Sequence, residues 1–245
     1  MNYKNINISD YIYNLPDGKI AQYPLVERDS SKLLVYENKT IEESRFSNIE
    51  KYIPSDSLII LNDTKVIPAR LFFYKGTGAK IEIFCLEPFS ETTDYQIEFH
   101  KRGKSVWKCF VGNAGKWKNG KVKNSFKYQN TNFEITAEVK DKVADEYLIE
   151  FNWNSSEITF GELIECFGKI PLPPYIRRDS EISDKDNYQT VYAKVDGSVA
   201  APTAGLHFTC EVFEKLKKYV PNIPAQCQCH CPSPRIAKNH HSFRQ

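Results

Sequence analysis

The 245-residue chain has no long hydrophobic run. Its longest purely aliphatic stretch is Leu58-Ile59-Ile60-Leu61, far short of the roughly 20 residues a membrane helix needs. The first ten residues are polar and lack the apolar centre of a secretory signal. A soluble, cytoplasmic protein with no membrane contact is therefore expected. A disulfide framework is absent too. The seven cysteines are odd in number, and Cys85, Cys109, Cys166 and Cys210 stand singly among apolar neighbours, as in a reducing compartment. There are no internal repeats, no Walker loop, no dinucleotide fingerprint and no zinc-protease helix. What remains is an ordinary globular mix, 41% hydrophobic and 26% charged. The length suits one large or two small domains, and such a chain can bury a sizeable core without staples.

Acid is missing from one window. Residues 101–127 hold no Asp or Glu but nine cations: Lys101, Arg102, Lys104, Lys108, Lys116, Lys118, Lys121, Lys123 and Lys127. The rest of the chain has 24 basic against 31 acidic residues, so a +9 segment is set in a −7 remainder. Such asymmetry points to a polyanion-binding surface. Trp107, Phe110, Trp117, Phe126 and Tyr128 are interleaved with the lysines, and stacking platforms beside cations suit RNA. Lys101, Arg102, Lys104, Lys108, Lys116 and Lys118 are the candidate RNA contacts. The alternative is a hairpin with aromatics inward and lysines on solvated edges.

The pattern of the chain changes twice. Residues 1–70 read as mixed α/β, with buried-type strands at 33–36 and 57–61, a helical turn at 46–52 and a turn at Asn62-Asp63-Thr64. Strand-like runs then follow at 80–86, 95–100, 105–111, 126–128, 132–139 and 146–151, separated by Gly/Asn-rich turns and without a helical period. They predict a small β-barrel or sandwich over 71–153. Beyond it, Thr159 caps a predicted helix closed by Gly168, a stiff Pro171-Leu172-Pro173-Pro174 segment leads into a charged loop, and Thr209 caps a second helix. The fold class is thus an α/β (mixed α+β) domain, residues 1–70 and 154–226, with an inserted all-β barrel.

Three segments offer chemistry. Residues 197–209, Gly-Ser-Val-Ala-Ala-Pro-Thr-Ala-Gly-Leu-His-Phe-Thr, are nearly all small and lead into a helix start. Small residues admit a ligand close to the backbone, free N–H groups favour anions, and His207 can act as a base near neutral pH. A tight turn with a structural histidine is the competing reading. In Asn62-Asp63-Thr64-Lys65-Val66-Ile67-Pro68-Ala69-Arg70, Asp63 suits ribose hydroxyls, and Lys65 and Arg70 suit phosphate or carboxylate. The competing reading is an Asx turn at Asn62 with Asp63 paired to an arginine. Residues 188–193 alternate as a strand presenting Gln189 or both tyrosines, Tyr188 and Tyr192, or simply pack.

These segments, with Ala21-Gln22-Tyr23-Pro24-Leu25, Arg28-Asp29 and Ile170-Pro171-Leu172-Pro173-Pro174-Tyr175-Ile176, occur in an order that resembles the S-adenosylmethionine:tRNA ribosyltransferase-isomerases of queuosine biosynthesis. The resemblance covers roughly residues 8–225 and is weakest over 85–155. It implies an α/β domain with an inserted barrel and no metal or prosthetic group. It also implies transfer of the ribosyl part of S-adenosylmethionine to a 7-aminomethyl-7-deazaguanine base in tRNA, with release of adenine and methionine and formation of epoxyqueuosine. It marks positions, to which residue chemistry assigns the roles: His207 for catalysis, and Asn62, Asp63, Lys65, Arg70, Tyr175, Gln189, Thr190, Ser198, Pro202, Thr203, Gly205 and Thr209 for substrate. Partners are then tRNA and S-adenosylmethionine, and the chain is expected to be a monomer.

The end of the chain departs from that pattern. From Cys227 it reads Cys-Gln-Cys-His-Cys-Pro, then Asn239-His240-His241, where the family continues through a buried strand and more of the α/β domain. Cys/His clusters ligate zinc, but this spacing lacks a second half-site, and an out-of-frame or truncated terminus accounts for it more simply. Truncation would leave apolar faces exposed. A non-catalytic tRNA-binding remnant and a zinc-binding protein are therefore the alternatives to the enzyme.

Overall fold

The computed structural model describes residues 7–90 and 94–220. The Cys/His-rich tail thus lies outside the described residues. Six antiparallel strands close into a barrel: β4 (Arg70–Tyr74), β5 (Lys80–Pro88), β6 (Lys104–Gly112), β7 (Val122–Tyr128), β8 (Thr131–Val143) and β9 (Glu146–Trp153). Their order is β4-β5-β6-β9-β8-β7, with Tyr74 paired to Lys123 across the closure. Successive side chains of a strand point to opposite faces, so Leu71, Phe73, Ile81, Ile83, Trp107, Ile135, Ile149 and Phe151 fill the interior and are fully buried. Each such side chain contributes roughly 1.5–3 kcal/mol by leaving water.

A helix closes one end of this core. Thr159 forms the expected capping box with Glu162, opening α2 (Phe160–Phe167). Phe160, Leu163 and Ile164 enter the barrel core, and the Phe160 ring lies 5.3 Å from that of Trp107. Gly168 ends α2, but not as a left-handed cap: its φ is −71°. Glycine is required there because a Cβ would overlap the carbonyl oxygens of Pro68 and Ile164. Next to it Lys169 bridges Arg70, with N···O distances of 2.9 and 3.1 Å, tying the end of α2 to the start of the barrel.

Outside the barrel the elements are short. A hairpin of β1 (Lys32–Glu37) and β2 (Thr40–Arg45) leads into a 3-10 helix at Phe46–Tyr52. Phe46 packs with Val212 and Leu216 of α4 (Cys210–Tyr219), a helix capped by Thr209 as expected. β3 (Thr64–Val66) and β10 (Val195–Ser198) pair in parallel. Leu34, Tyr36 and Ile41 of the hairpin, and Leu58 and Ile60, are exposed.

Three expectations are corrected. Residues 95–100 are not a strand but contain α1 (Tyr95–Phe99). Alternation would bury Ile97 with Tyr95 and Phe99. Instead the Asp94 carboxylate caps the turn by accepting from Gln96 N at 2.8 Å, Glu98 and Phe99 are buried, and Ile97 is exposed. Residues 57–61 form no strand; Ile59 packs against the Phe46 cluster, while Leu58 and Ile60 face water. Residues 188–193 are turns following α3 (Asp184–Asn187), and Tyr188 alone packs into the small Val66–Ile170 cluster. β4 alternates as well, with Leu71 and Phe73 inward, and adds a barrel strand ahead of the runs expected from residue 80 onward.

Candidate functional site

The parallel pair β3–β10 brings together the two most distinctive sequence segments. Asn62 makes the Asx turn: its Oδ1 accepts from Thr64 N at 2.9 Å and Thr64 Oγ1 at 2.7 Å. Asp63 is buried, and its carbonyl accepts from Lys194 N at 2.7 Å. Its carboxylate makes no hydrogen bond or ion pair among the described residues, so the expected arginine partner is not there. Both Asp63 carboxylate oxygens are thus without a protein partner among the described residues, yet are not sealed from the surface. Lys65 stands 3.8 Å from Asp196 on the neighbouring strand, both half-exposed.

Gln189 has a different task from the one expected. Its Oε1 accepts from Val66 N at 2.9 Å and its Nε2 donates to Val66 O at 2.6 Å, so the side chain braces the edge of β3. Arg28 holds that brace in turn, donating to the carbonyls of Gln189 and Asp186 at 2.6 Å each. Nearby, Arg178 forms two 2.7 Å bonds to the fully buried Asp184, donates to Gln22 O and lies over the Tyr23 ring. The Arg178 guanidinium keeps the Asp184 carboxyl below the ordinary range.

In the 197–209 segment most of the small residues serve the turn. Ser198 Oγ donates to Ala200 O at 2.7 Å, and Gly205 N donates to Pro202 O at 2.8 Å. A Cβ at Gly205 would meet the Tyr192 hydroxyl and crowd the Thr190 methyl. Thr190 is buried and Thr203 exposed. Thr209 Oγ1 is used as the N-cap of α4, accepting from Val212 N at 3.2 Å. Gly197 takes φ +154°, a glycine conformation, and lets the Tyr95 ring pack on it. His207 is half-buried, its ring 5.3 Å from Phe46 and its Nδ1 3.4 Å from Arg28 O. Arg70 is turned away from this region. It pairs with Glu82 on the barrel and lies over Phe72. Tyr175 is exposed in the proline-rich segment.

Beside the strand pair a cleft of about 180 Å³ opens between α1, α2 and β10. Ile67, Phe99 and Ile164 form its floor, and Gln96, His100, Glu165 and Asp196 stand around it. Sequence reasoning singled out none of these four. Asp196 directly precedes the glycine of the 197–209 segment, which is a signal. Gln96 and His100 were hidden by reading α1 as a strand.

The basic window is less basic in space than in sequence. Lys101 pairs with Glu98 at 2.7 Å, Lys104 with Glu150 at 2.5 Å and Lys108 with Glu87 at 2.5 Å. Arg102 donates to the carbonyls of Ser156 and Glu157. Helix α1 and the neighbouring strands β5 and β9 supply the acids that the window lacks. Lys116 and Lys118 are exposed at one barrel end without a carboxylate partner among the described residues, and Lys75 Nζ donates to Lys116 O at 2.9 Å. Trp107 and Trp117 are buried in the barrel core and cannot serve as stacking platforms.

A family profile described as "Queuosine biosynthesis protein" matches residues 8–224. The chain belongs to the queuosine biosynthesis protein family. Curated relatives named S-adenosylmethionine:tRNA ribosyltransferase-isomerase include that of Trichlorobacter lovleyi, 38% identical over 214 residues, which are 86% of this chain and 56% of the relative. The Halothermothrix orenii relative is 39% identical over 217 residues, 87% of this chain and 57% of that one. The chain therefore spans a little over half the length of these relatives. The solved S-adenosylmethionine tRNA ribosyltransferase of Thermotoga maritima is 27% identical, with a TM-score of 0.28 over 86% of this chain and 54% of that one.

Within the family match, residues 21–28, 62–70, 170–176 and 188–209 are distant in sequence but meet at β3, where Gln189 braces Val66, Arg28 holds Gln189 and Ile170 packs on Val66. No described helix is long and apolar enough to cross a membrane. Among the described residues no group of His, Cys, Asp and Glu is arranged to hold a metal.

Proposed function

We propose that this chain carries out the reaction its relatives are named for. The ribosyl group of S-adenosylmethionine is transferred to the 7-aminomethyl-7-deazaguanine of a tRNA and isomerised to epoxyqueuosine, with adenine and methionine leaving. The observation that carries the reading is membership of the queuosine biosynthesis family over residues 8–224. The chain acts in the cytoplasm as a monomer, with tRNA and S-adenosylmethionine as substrates and no further cofactor.

The chemistry needs a ribose anchor and a base. Asp63 supplies the anchor: a buried carboxylate with no partner among the described residues can accept from both ribose hydroxyls. His207 supplies the base. A carbonyl oxygen only accepts, so the contact with Arg28 O places the proton on Nδ1 and leaves the Nε2 lone pair free. That lone pair can take a proton from the carbon beside the sulfonium, which the positive sulfur acidifies. Lys116 and Lys118, with Lys75, offer the tRNA its phosphate contacts.

The test is adenine release from S-adenosylmethionine in the presence of tRNA bearing the deazaguanine precursor, with calorimetric S-adenosylmethionine binding alongside. Asp63→Asn should weaken binding by roughly tenfold or more, the worth of hydrogen bonds to a charged group. His207→Asn should keep binding and slow release about a hundredfold or more. No adenine release from the unsubstituted chain would refute the activity, and full turnover in His207→Asn would reduce that residue to a turn.

A further inference from the structure

The polar groups around the α1–α2–β10 cleft share one property: the free ones all accept. Asp196 and Glu165 are carboxylates. Each meets only an exposed lysine, Lys65 at 3.8 Å and Lys185 at 3.3 Å, and such surface pairs hold weakly. The Gln96 amide has already given its Nε2 to Asp196 O at 3.1 Å, so its Oε1 is what remains. His100 Nδ1 lies 2.7 Å from Gln96 O, which fixes the proton on Nδ1 and leaves Nε2 as an acceptor. The Thr159 hydroxyl, also at the edge, is spent on Glu162 in the capping box.

The floor is apolar and the volume small. Ile67, Phe99 and Ile164 offer a surface for a flat ring. At about 180 Å³ the cleft falls below the roughly 300–1,000 Å³ of pockets that enclose a whole drug-sized ligand. It suits one heterocycle, with the remainder of the ligand outside. Lys101 stands beside the adjoining hollow formed by Gln96, Ile97 and His100, within reach of whatever the ring is attached to.

From this we infer that the cleft is a subsite for a donor-rich, cationic heterocycle: a purine-like base, turned out of a nucleic-acid strand, that carries ring N–H groups and a primary ammonium. Its donors meet Gln96 Oε1 and His100 Nε2, and the ammonium lies between Asp196 and Glu165. Adenine fits less well, because N1, N3 and N7 are acceptors that would face acceptors. The inference rests on the function proposed above, whose acceptor base has this chemistry, and it adds where that base sits. Lys65, two residues on from Asp63, lies 3.8 Å from Asp196, so the strand pair links the base subsite to the residue proposed to hold the ribose.

The experiment uses the whole chain and three probes: free 7-aminomethyl-7-deazaguanine, guanine and adenine, titrated by calorimetry or ligand-observed NMR. S-adenosylmethionine is titrated in parallel. The aminomethyl base is expected to bind, at least tenfold more tightly than guanine, with adenine weakest. Glu165→Gln and Asp196→Asn should each lower its affinity about three- to tenfold and leave guanine nearly unchanged. Glu165 is exposed on α2, so its substitution removes no core contact. Gly161→Leu, which fills the cleft against Phe99, should abolish binding of all three, with the far-UV spectrum as a check on folding. Adenine binding tighter than the aminomethyl base, or affinity unchanged in Glu165→Gln and Asp196→Asn, overturns the inference. Failure of the aminomethyl base to bind while S-adenosylmethionine does so overturns the inference alone. Failure of both overturns the proposed function as well.

Discussion

Replacing Glu98 tests how α1 is held on the barrel. Its side chain is wholly buried. Oε1 accepts from Ser105 Oγ at 2.6 Å and Val106 N at 3.3 Å, and Ser105 Oγ in turn accepts from Trp107 Nε1 at 2.7 Å. Lys101 Nζ lies 2.7 Å from Oε2. Removing one partner of a buried ion pair costs about 3–5 kcal/mol when the other charge is trapped. Lys101 is 42% exposed and can return to water, so that part is largely recovered. The Ser105 hydroxyl cannot escape: it is 1% exposed, and a stranded buried donor costs about 1–3 kcal/mol. Glu98→Ala should therefore lose about 2–3 kcal/mol. At about 2–4 °C per kcal/mol for a chain of this size, Tm falls by roughly 4–12 °C. Glu98→Gln keeps an acceptor for Ser105 and should lose less. Urea unfolding followed by circular dichroism measures both. Because α1 also carries Gln96 and stands just before His100, binding at the adjacent cleft should weaken in Glu98→Ala. A loss under about 0.5 kcal/mol would mean that the Trp107–Ser105–Glu98 chain does not hold α1.

Gly168→Ala should cost about 1–3 kcal/mol by overpacking against the Pro68 and Ile164 carbonyls; an unchanged urea midpoint would refute the contact. Glu150 is held at about 2, first by Lys104 and then by Asn152 and Lys140. A depressed carboxyl stabilises the fold above its unfolded pKa, near 4.5, and that contribution is lost as pH falls toward 2. Its lysines are about half exposed, so screening reduces the effect to roughly 1–2 kcal/mol. The stability gap between wild type and Glu150→Gln should therefore close between pH 4.5 and 2, and a gap that persists at the lower end would contradict the pairing. Lys116→Gln with Lys118→Gln should weaken tRNA binding and reduce its salt slope by roughly one per lysine, more than Lys104→Gln with Lys108→Gln. Equal effects in filter binding would put the RNA on the barrel wall instead of its end.

Local chemistry determined much of this protein. The barrel strands were legible because alternation of inward and outward side chains is a property of neighbours in sequence, and Ile81-x-Ile83-x-Cys85, Ser105-x-Trp107-x-Cys109 and Ile149-x-Phe151 carry it. The caps at Thr159 and Thr209 were legible because a cap is a hydrogen bond within three residues. The family segments were legible as ordered motifs. Tertiary structure decided the rest. Whether Lys104 is a free cation depends on β6 lying beside β9, which brings Glu150, diagonal to it across the register, within ion-pair distance from 46 residues away. Asp63 keeps an open carboxylate and Gln189 does not, though both are polar residues in family segments, because Gln189 reaches the exposed edge of β3 at Val66. The 95–100 segment fits either period, and a single Asx cap at Asp94 together with a buried Ser105 waiting for Glu98 tips it into a helix. Long-range pairing is set by strand register, which no short window of sequence contains.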